Sequence, residues 1–383
     1  MGKTSNRQVR RIIVSGYYGF NNSGDEAVLK SILNALHAEG EAHGITIEPV
    51  VLSADPAWTT KMYGVEAVPR MSPSVLLREI RRCDGLISGG GSLLQDATGW
   101  KTIPYYTGVL SLAQMLGKPT FIYSQGVGPV NRGWLFAPIR RVMNKSKYIS
   151  VRDAESAALL GRIGVAQERV EIVPDPVMGL PLPAGADEVS TKPPSGDALP
   201  VVGVSLRHWR KDGADLERAA SALAALAKRR AVRFRFLPFH MPDDAATSQI
   251  VIDKMRMLGL GESSAELASP GDDPQQMLLE VSRCDMMFGM RLHALIYAAN
   301  QRVPLIGLSY DPKINQFLNR LGLTPIGTTE QLDPVQFAAS ADSLLSDLEG
   351  WRTRHGEAID RLKRESQRPA QQIAALLSQT MKR

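Results

Sequence analysis

The sequence predicts an α/β protein of two Rossmann-like, doubly wound domains, each a parallel sheet covered by helices, closed by C-terminal helices. Three observations predict this. Short apolar runs of strand length alternate with amphipathic stretches of helical period along most of the 383 residues, which is the pattern of strand–helix–strand units. Several runs end in glycine or arginine immediately before a helix, which collects such residues at the carboxyl edge of a sheet. Near the middle, five prolines between residues 181 and 200 (181, 183, 193, 194 and 200) break the alternation and read as an extended linker. The expected organisation is a first domain over 1–180, a linker over 181–200, a second domain over 201–345 and a basic helix over 346–383. The two domains are expected to face one another across a cleft.

In the first half, residues 11–15 form an apolar strand. Gly16-Tyr-Tyr-Gly-Phe-Asn-Asn-Ser-Gly24 is the loop after it, and Asp25 opens a stretch of helical period. A glycine-rich turn between strand and helix lets backbone N–H groups approach a phosphate or a sugar. The glycine spacing is neither that of a dinucleotide site nor that of a P-loop. Further strands are expected at 46–52, 85–88, 120–124, 148–151 and 171–173. The strand at 85–88 runs into Gly89-Gly-Gly-Ser-Leu-Leu-Gln-Asp96, and the next into Gln125-Gly-Val-Gly-Pro129. Triple glycine is costly in chain entropy, so it implies close approach of a ligand or a cramped helix–sheet contact. Arg152 follows the strand at 148–151, again at a helix start.

The second half begins with a strand at 201–205 that ends in Leu206-Arg207-His208-Trp209. A helix over 216–228, a strand over 232–237 and helices over 245–258 and 274–283 follow. The most informative stretch comes next. An apolar strand at 286–288 turns at Gly289; Arg291 and His293 sit where the strand gives way to a helix; a second strand at 303–308 ends in Ser309-Tyr-Asp-Pro-Lys313. A helix N-terminus attracts anions. Arg291 and His293 converge only if the arginine lies in the turn and the histidine in the first helical turn. Arg82-Cys83-Asp84 and Arg283-Cys284-Asp285 echo one another, each a helix end before a strand. Helices over 333–348 and 351–377 close the chain.

Composition excludes several classes. Apolar content of 44% and charged content of 22% are those of a globular protein. Cys83 and Cys284 have no CxxC partner, so they read as packing residues in a reducing compartment. No apolar window reaches membrane-spanning length and the N-terminus lacks a signal-peptide core, so a cytoplasmic protein is expected. The net charge of +6 is concentrated at the end: residues 351–383 carry eight Lys/Arg and three acids, +5 in all. A nucleic-acid binder would carry its basic stripe on the folded body with aromatic platforms, so none is expected. The tail instead suggests peripheral contact with the inner face of a membrane. There is no HExxH, CxxC or EF-hand pattern, and neither metal nor cofactor is expected.

These motifs also carry a family resemblance. Gly289-Met-Arg-Leu-His-Ala294 with Tyr310-Asp-Pro-Lys313, the run Gly16-x-x-Gly19-x-x-Asn22-x-Gly24-Asp25-Glu26, and the loops at 89–96 and 125–129 resemble the polysaccharide pyruvyltransferases, the CsaB-like branch in particular. The resemblance covers roughly residues 12–321. It implies a phosphoenolpyruvate-dependent transferase that places a cyclic pyruvate ketal on a sugar of a cell-surface polysaccharide precursor and releases phosphate. Phosphoenolpyruvate would be the co-substrate, held by Arg152, Arg207, Arg291 and Lys313. His293 would act as the acid; Asp25 would orient or deprotonate the acceptor hydroxyl, or simply cap its helix. Asn22, Gly89, Gly90, Gly91, Ser92, Gln95 and Asp96 would contact the acceptor sugar or its diphosphate.

Two rival readings remain at this level. The same GT-B-like fold class serves nucleotide-sugar glycosyltransferases, but these hold the donor ribose with an acid near the helix that follows Arg291, and residues 291–299 contain none. A non-catalytic binder of anionic sugars would need the cations without the titratable histidine.

Overall fold

The computed structural model describes residues 8–20, 22–97, 99–186 and 199–379. It divides into two compact units, Met1–Leu180 with Leu362–Arg383, and Pro181–Arg361. Most of the expected linker (187–198) and the last four residues of the tail (380–383), with their two cations, lie outside the described residues.

The first unit contains β1 (Gln8–Tyr18), α1 (Ser23–Ala42), β2 (Ile45–Ser53), α2 (Pro56–Tyr63), β3 (Glu66–Pro69), α3 (Pro73–Arg82), β4 (Gly85–Gly89), α4 (Thr102–Met115), β5 (Thr120–Gln125), α5 (Phe136–Lys145), β6 (Tyr148–Val151), α6 (Ala154–Arg162) and β7 (Val170–Ile172). Its seven strands are ordered β3-β2-β1-β4-β5-β6-β7 and pair in parallel. A sheet covered on both faces needs unbroken apolar strands. Ile12, Ile13 and Val14 of β1 and Leu86 and Ile87 of β4 are accordingly sealed from solvent.

In the second unit, β8 (Val201–Ser205), α7 (Ala214–Arg229), β9 (Arg233–Phe236), α8 (Asp243–Leu258), β10 (Ser264–Leu267), α9 (Pro274–Ser282), β11 (Met286–Gly289), α10 (Leu292–Asn300), β12 (Leu305–Ser309), α11 (Pro312–Arg320), β13 (Gly327–Thr328) and α12 (Pro334–Ser346) follow. The six strands are ordered β10-β9-β8-β11-β12-β13, again parallel. The last helix, α13 (Leu348–Gln379), starts in this unit and finishes in the first. The separate basic helix expected over 346–383 is therefore shared between the two units. Trp351, Ile359 and Leu362 are buried, as are Ala370, Ile373 and Ala374 further along.

The paired Arg-Cys-Asp echo has a local explanation. Asp84 Oδ2 accepts from Arg11 N at 2.8 Å, and Asp285 Oδ2 accepts from Val201 N at 2.7 Å. In each sheet the aspartate that follows a helix holds a backbone amide of the neighbouring central strand. Both cysteines are buried, and burial pushes the Cys284 thiol up to about 12. Among the described residues no helix is long and apolar enough to cross a membrane.

Candidate active site

Strand order reverses between β1 and β4 in the first sheet and between β8 and β11 in the second. The loops leaving these strands diverge and open a crevice at the carboxyl edge, where ligands of open α/β sheets bind. The candidate site residues lie on loops, at helix starts or, for Gly89, at the last position of β4, all at the carboxyl edges of the two sheets.

On the first sheet, Asn22 is the cap of α1, its side chain accepting from Gly24 N at 3.1 Å. Asp25 therefore does not cap this helix; it lies in the first turn. Its Oδ1 would stand 2.7 Å from a Cβ placed on Gly91, so the loops after β1 and β4 touch there. The three glycines divide by role. Gly90, at φ +63°, leaves room for Val28, whose Cγ1 would lie 1.9 Å from an added Cβ; at Gly89 the neighbour is Ile32 Cδ1 at 2.9 Å. Gly89 and Gly90 are buried under α1 and serve helix–sheet packing. Gly91 faces Asp25.

The rest of that loop also divides. Ser92 is exposed and its hydroxyl accepts from Arg152 Nη2 at 2.6 Å. Gln95 accepts from Ala97 N at 2.8 Å within the turn. The Asp96 carboxylate is taken up inside the protein: it accepts from Asn131 N and Nδ2 at 2.9 and 3.0 Å, Arg132 N at 3.0 Å and Arg132 Nη1 at 3.2 Å. These donors, the Asn131 amide foremost, hold its carboxyl below the usual carboxylate range. Asp96 is thus a clip between the loops after β4 and β5, a structural use that its motif position did not reveal.

Arg152 follows β6 and reaches toward the β4 and β5 loops. Its guanidinium lies 3.7 Å from Asp175 and from Asp153, and a Cβ on Gly126 would stand 3.0 Å from Nε. Gly126 is small because the arginine crosses it. Glu26, one turn into α1, is buried and accepts from Gly19 N at 2.8 Å and Tyr63 Oη at 2.7 Å; burial raises its carboxyl above the usual value against these hydrogen bonds.

On the second sheet, Arg207 leaves β8 and donates through Nη1 to Tyr310 Oη at 3.3 Å, at the end of β12. Its guanidinium also lies 5.1 Å from the Trp209 ring and 5.5 Å from that of Tyr310. β11 runs between those two strands in the sheet, and His293 is the second residue of the helix that follows it, α10. The histidine is half-buried. Lys313 follows β12; Asp311 caps α11 through Lys313 N at 3.0 Å and pairs with its Nζ at 3.2 Å.

Arg291 differs from the other cations. It lies in the turn, as convergence required, but its guanidinium forks onto Asp244, with Nε donating to Oδ2 at 3.0 Å and Nη2 to Oδ1. Asp244 is buried and also accepts from Phe239 N and His240 N at 3.1 and 2.9 Å. Arg291 thereby fastens the loop after β9 to the start of α10, so it positions the helix that carries His293.

Sequence reasoning passed over Asp244, Trp209 and, on the first sheet, Arg70. Arg70 ends β3 just as the other arginines end their strands, but a four-residue edge strand is too short to show a period.

The sequence profile of the polysaccharide pyruvyl transferases matches residues 22–312. Among curated proteins none matches the chain. Solved structures share the fold at low identity. The Anabaena protein HepE in complex with UDP and glucose superposes with a TM-score of 0.58 at 13% identity, covering 97% of this chain and 100% of that one. UDP-GlcNAc 2-epimerase from Neisseria meningitidis bound to UDP-GlcNAc gives 0.62 at 11%, covering 96% and 99%. A glycosyltransferase from Rickettsia africae gives 0.63 at 12%, covering 97% and 99%. At these identities the likeness speaks for the fold, two Rossmann-like domains of the GT-B-like class. The profile match is more specific. It begins at the cap of α1 and ends at the first residue of α11, running from β2 through β12 and taking in the loops that leave β4, β8 and β11, and it makes the chain a member of the polysaccharide pyruvyl transferase family.

Proposed function

We propose that the protein is a CsaB-like pyruvyltransferase that moves the enolpyruvyl group of phosphoenolpyruvate onto two hydroxyls of a sugar in a cell-surface polysaccharide precursor. The observation that carries this reading is the frame at one carboxyl edge: Arg207, His293 and Lys313 follow the adjacent strands β8, β11 and β12, Arg207 is bonded to Tyr310, and the start of the histidine's helix is fastened by the Arg291–Asp244 fork. A small dianion with a carboxylate and a phosphate suits such a frame, since a guanidinium grips either group through paired N–H donors.

The chemistry balances without a cofactor. A proton adds to the methylene carbon of the donor, and one acceptor hydroxyl attacks the adjacent carbon. The carbon–oxygen bond to phosphate breaks, and the second hydroxyl closes the ketal. Of the two hydroxyl protons, one balances the new methyl group and the other leaves with inorganic phosphate. His293 supplies the proton to the donor, and Arg207 and Lys313 hold its anionic groups. In the first domain Arg152 supplies a further cation, and Asp25 with Gly91, Ser92 and Gln95 receives the acceptor. The enzyme works in the cytoplasm, where it meets a lipid-linked acceptor at the membrane face.

The test is phosphate release from phosphoenolpyruvate on addition of nucleotide-linked or lipid-linked saccharides. Release that needs both substrates, with a ketal-bearing product by mass, is expected. Nucleotide release from a nucleotide sugar with phosphoenolpyruvate absent would instead establish the glycosyltransferase reading.

A further inference from the structure

Arg70 is a buried cation that no carboxylate pairs with among the described residues. Only 9% of the residue is exposed. Its Nη1 donates to the Gly16 carbonyl and its Nη2 to Tyr106 Oη, both at 3.2 Å. Three rings surround the guanidinium carbon, Tyr105 at 4.5 Å, Phe20 at 5.2 Å and Tyr106 at 5.5 Å. Among the described residues no ion pair reaches it. Asp25 shares this edge of the sheet, and its charge is felt at the Tyr106 hydroxyl. Aromatic faces and a carbonyl offset part of the desolvation, but among the described residues no carboxylate pairs with the charge, and the guanidinium has more N–H donors than the two used here.

The surroundings say what would balance that charge. Arg70 follows β3 at the carboxyl edge, and Gly16 and Phe20 belong to the glycine-rich segment on the first switch point. Phe20 stacks on Tyr17 with centroids 4.0 Å apart and planes 7° apart, and each ring is 41% exposed. A flat, exposed aromatic pair beside a buried cation suits a sugar ring that carries a negative group.

We propose that Arg70 is an anion subsite of the first domain, taking an oxyanion, phosphate or carboxylate, borne by a saccharide that rests on Tyr17 and Phe20. This deepens the acceptor side of the pyruvyltransferase reading and rests on it for the identification of that saccharide as acceptor. Binding can nevertheless be measured without turnover, so failure of phosphate release and failure of this subsite are seen separately.

The experiment is calorimetric titration with inorganic pyrophosphate and, in a second arm, with glucuronate. The starting protein carries Arg207→Met, which weakens the second-domain cations, and it is compared with Arg207→Met/Arg70→Met and Arg207→Met/Arg70→Lys. Loss of at least tenfold in affinity for one probe on Arg70→Met, with a melting temperature equal or higher because a buried charge has gone, is the expected result. The arm that loses affinity identifies the oxyanion. Arg70→Lys keeps the charge but loses the fork, so it should fall between the two. Equal titrations with both probes would overturn the proposal, as would a loss of affinity accompanied by a lowered melting temperature in both variants.

Discussion

His293 and Arg152 make the reading testable at the level of single side chains. His293→Gln keeps size and some hydrogen bonding but cannot transfer a proton. Turnover should fall about 100- to 10,000-fold, with phosphoenolpyruvate affinity and melting temperature retained. A stable variant that binds donor and turns over near normally would remove the histidine from the mechanism. Arg152→Lys keeps charge but cannot reach Ser92 through a planar fork while facing Asp175. The apparent KM for phosphoenolpyruvate should rise strongly; an unchanged value would make Arg152 a residue that only orders the β4 and β6 loops. Several residues at this scale were legible from their strand-end positions alone. Asp96 and Arg291 were not, because a motif shows that a side chain is at an edge and not which partner it meets there.

At the scale of elements, the glycine loop shows how packing and ligand contact share one motif. Gly90→Ala must adopt a left-handed backbone, at about 1–2 kcal/mol, and must also displace Val28, at about 1–3 kcal/mol for overpacking. Gly44→Ala, in the turn between α1 and β2, meets the same backbone cost at φ +70° with nothing within 4 Å. Urea unfolding should therefore show Gly90→Ala to be the more destabilised of the two; equal losses would mean that α1 does not press on the loop. The strand–helix alternation was readable because apolar runs and helical periods are local signals. Elements such as β3, β10 and β13 escaped notice because two to four residues at a sheet edge carry no period.

For the molecule as a whole, the basic tail is the feature that folding changes most. Arg354 pairs with Asp347 at 2.9 Å, Arg368 with Glu171 at 2.9 Å, and Arg352 with Glu349. These acids lie outside residues 351–383, so a count confined to that window overstates the local charge. Exposed pairs contribute little stability, but they reduce the field that an anionic surface meets. Sedimentation with anionic vesicles should exceed that with neutral vesicles at low ionic strength and lose the difference near 0.15 M salt, roughly where the Debye length is about 8 Å. Equal sedimentation at low salt would exclude membrane contact by this helix.

The sequence by itself determined the two parallel α/β halves and the edges on which their chemistry is placed, because hydrophobic period and strand-end residues depend only on local order along the chain. The tertiary structure decided what each edge residue touches. It made Asn22 the helix cap in place of Asp25, committed Asp96 to Asn131 and Arg132, and tied Arg291 to Asp244. It also buried Arg70 among three rings, and among the described residues no acid pairs with it. Apart from the Asn22 cap, which is local, these partners are separated by tens of residues along the chain, and only the pairing of strands brings them together.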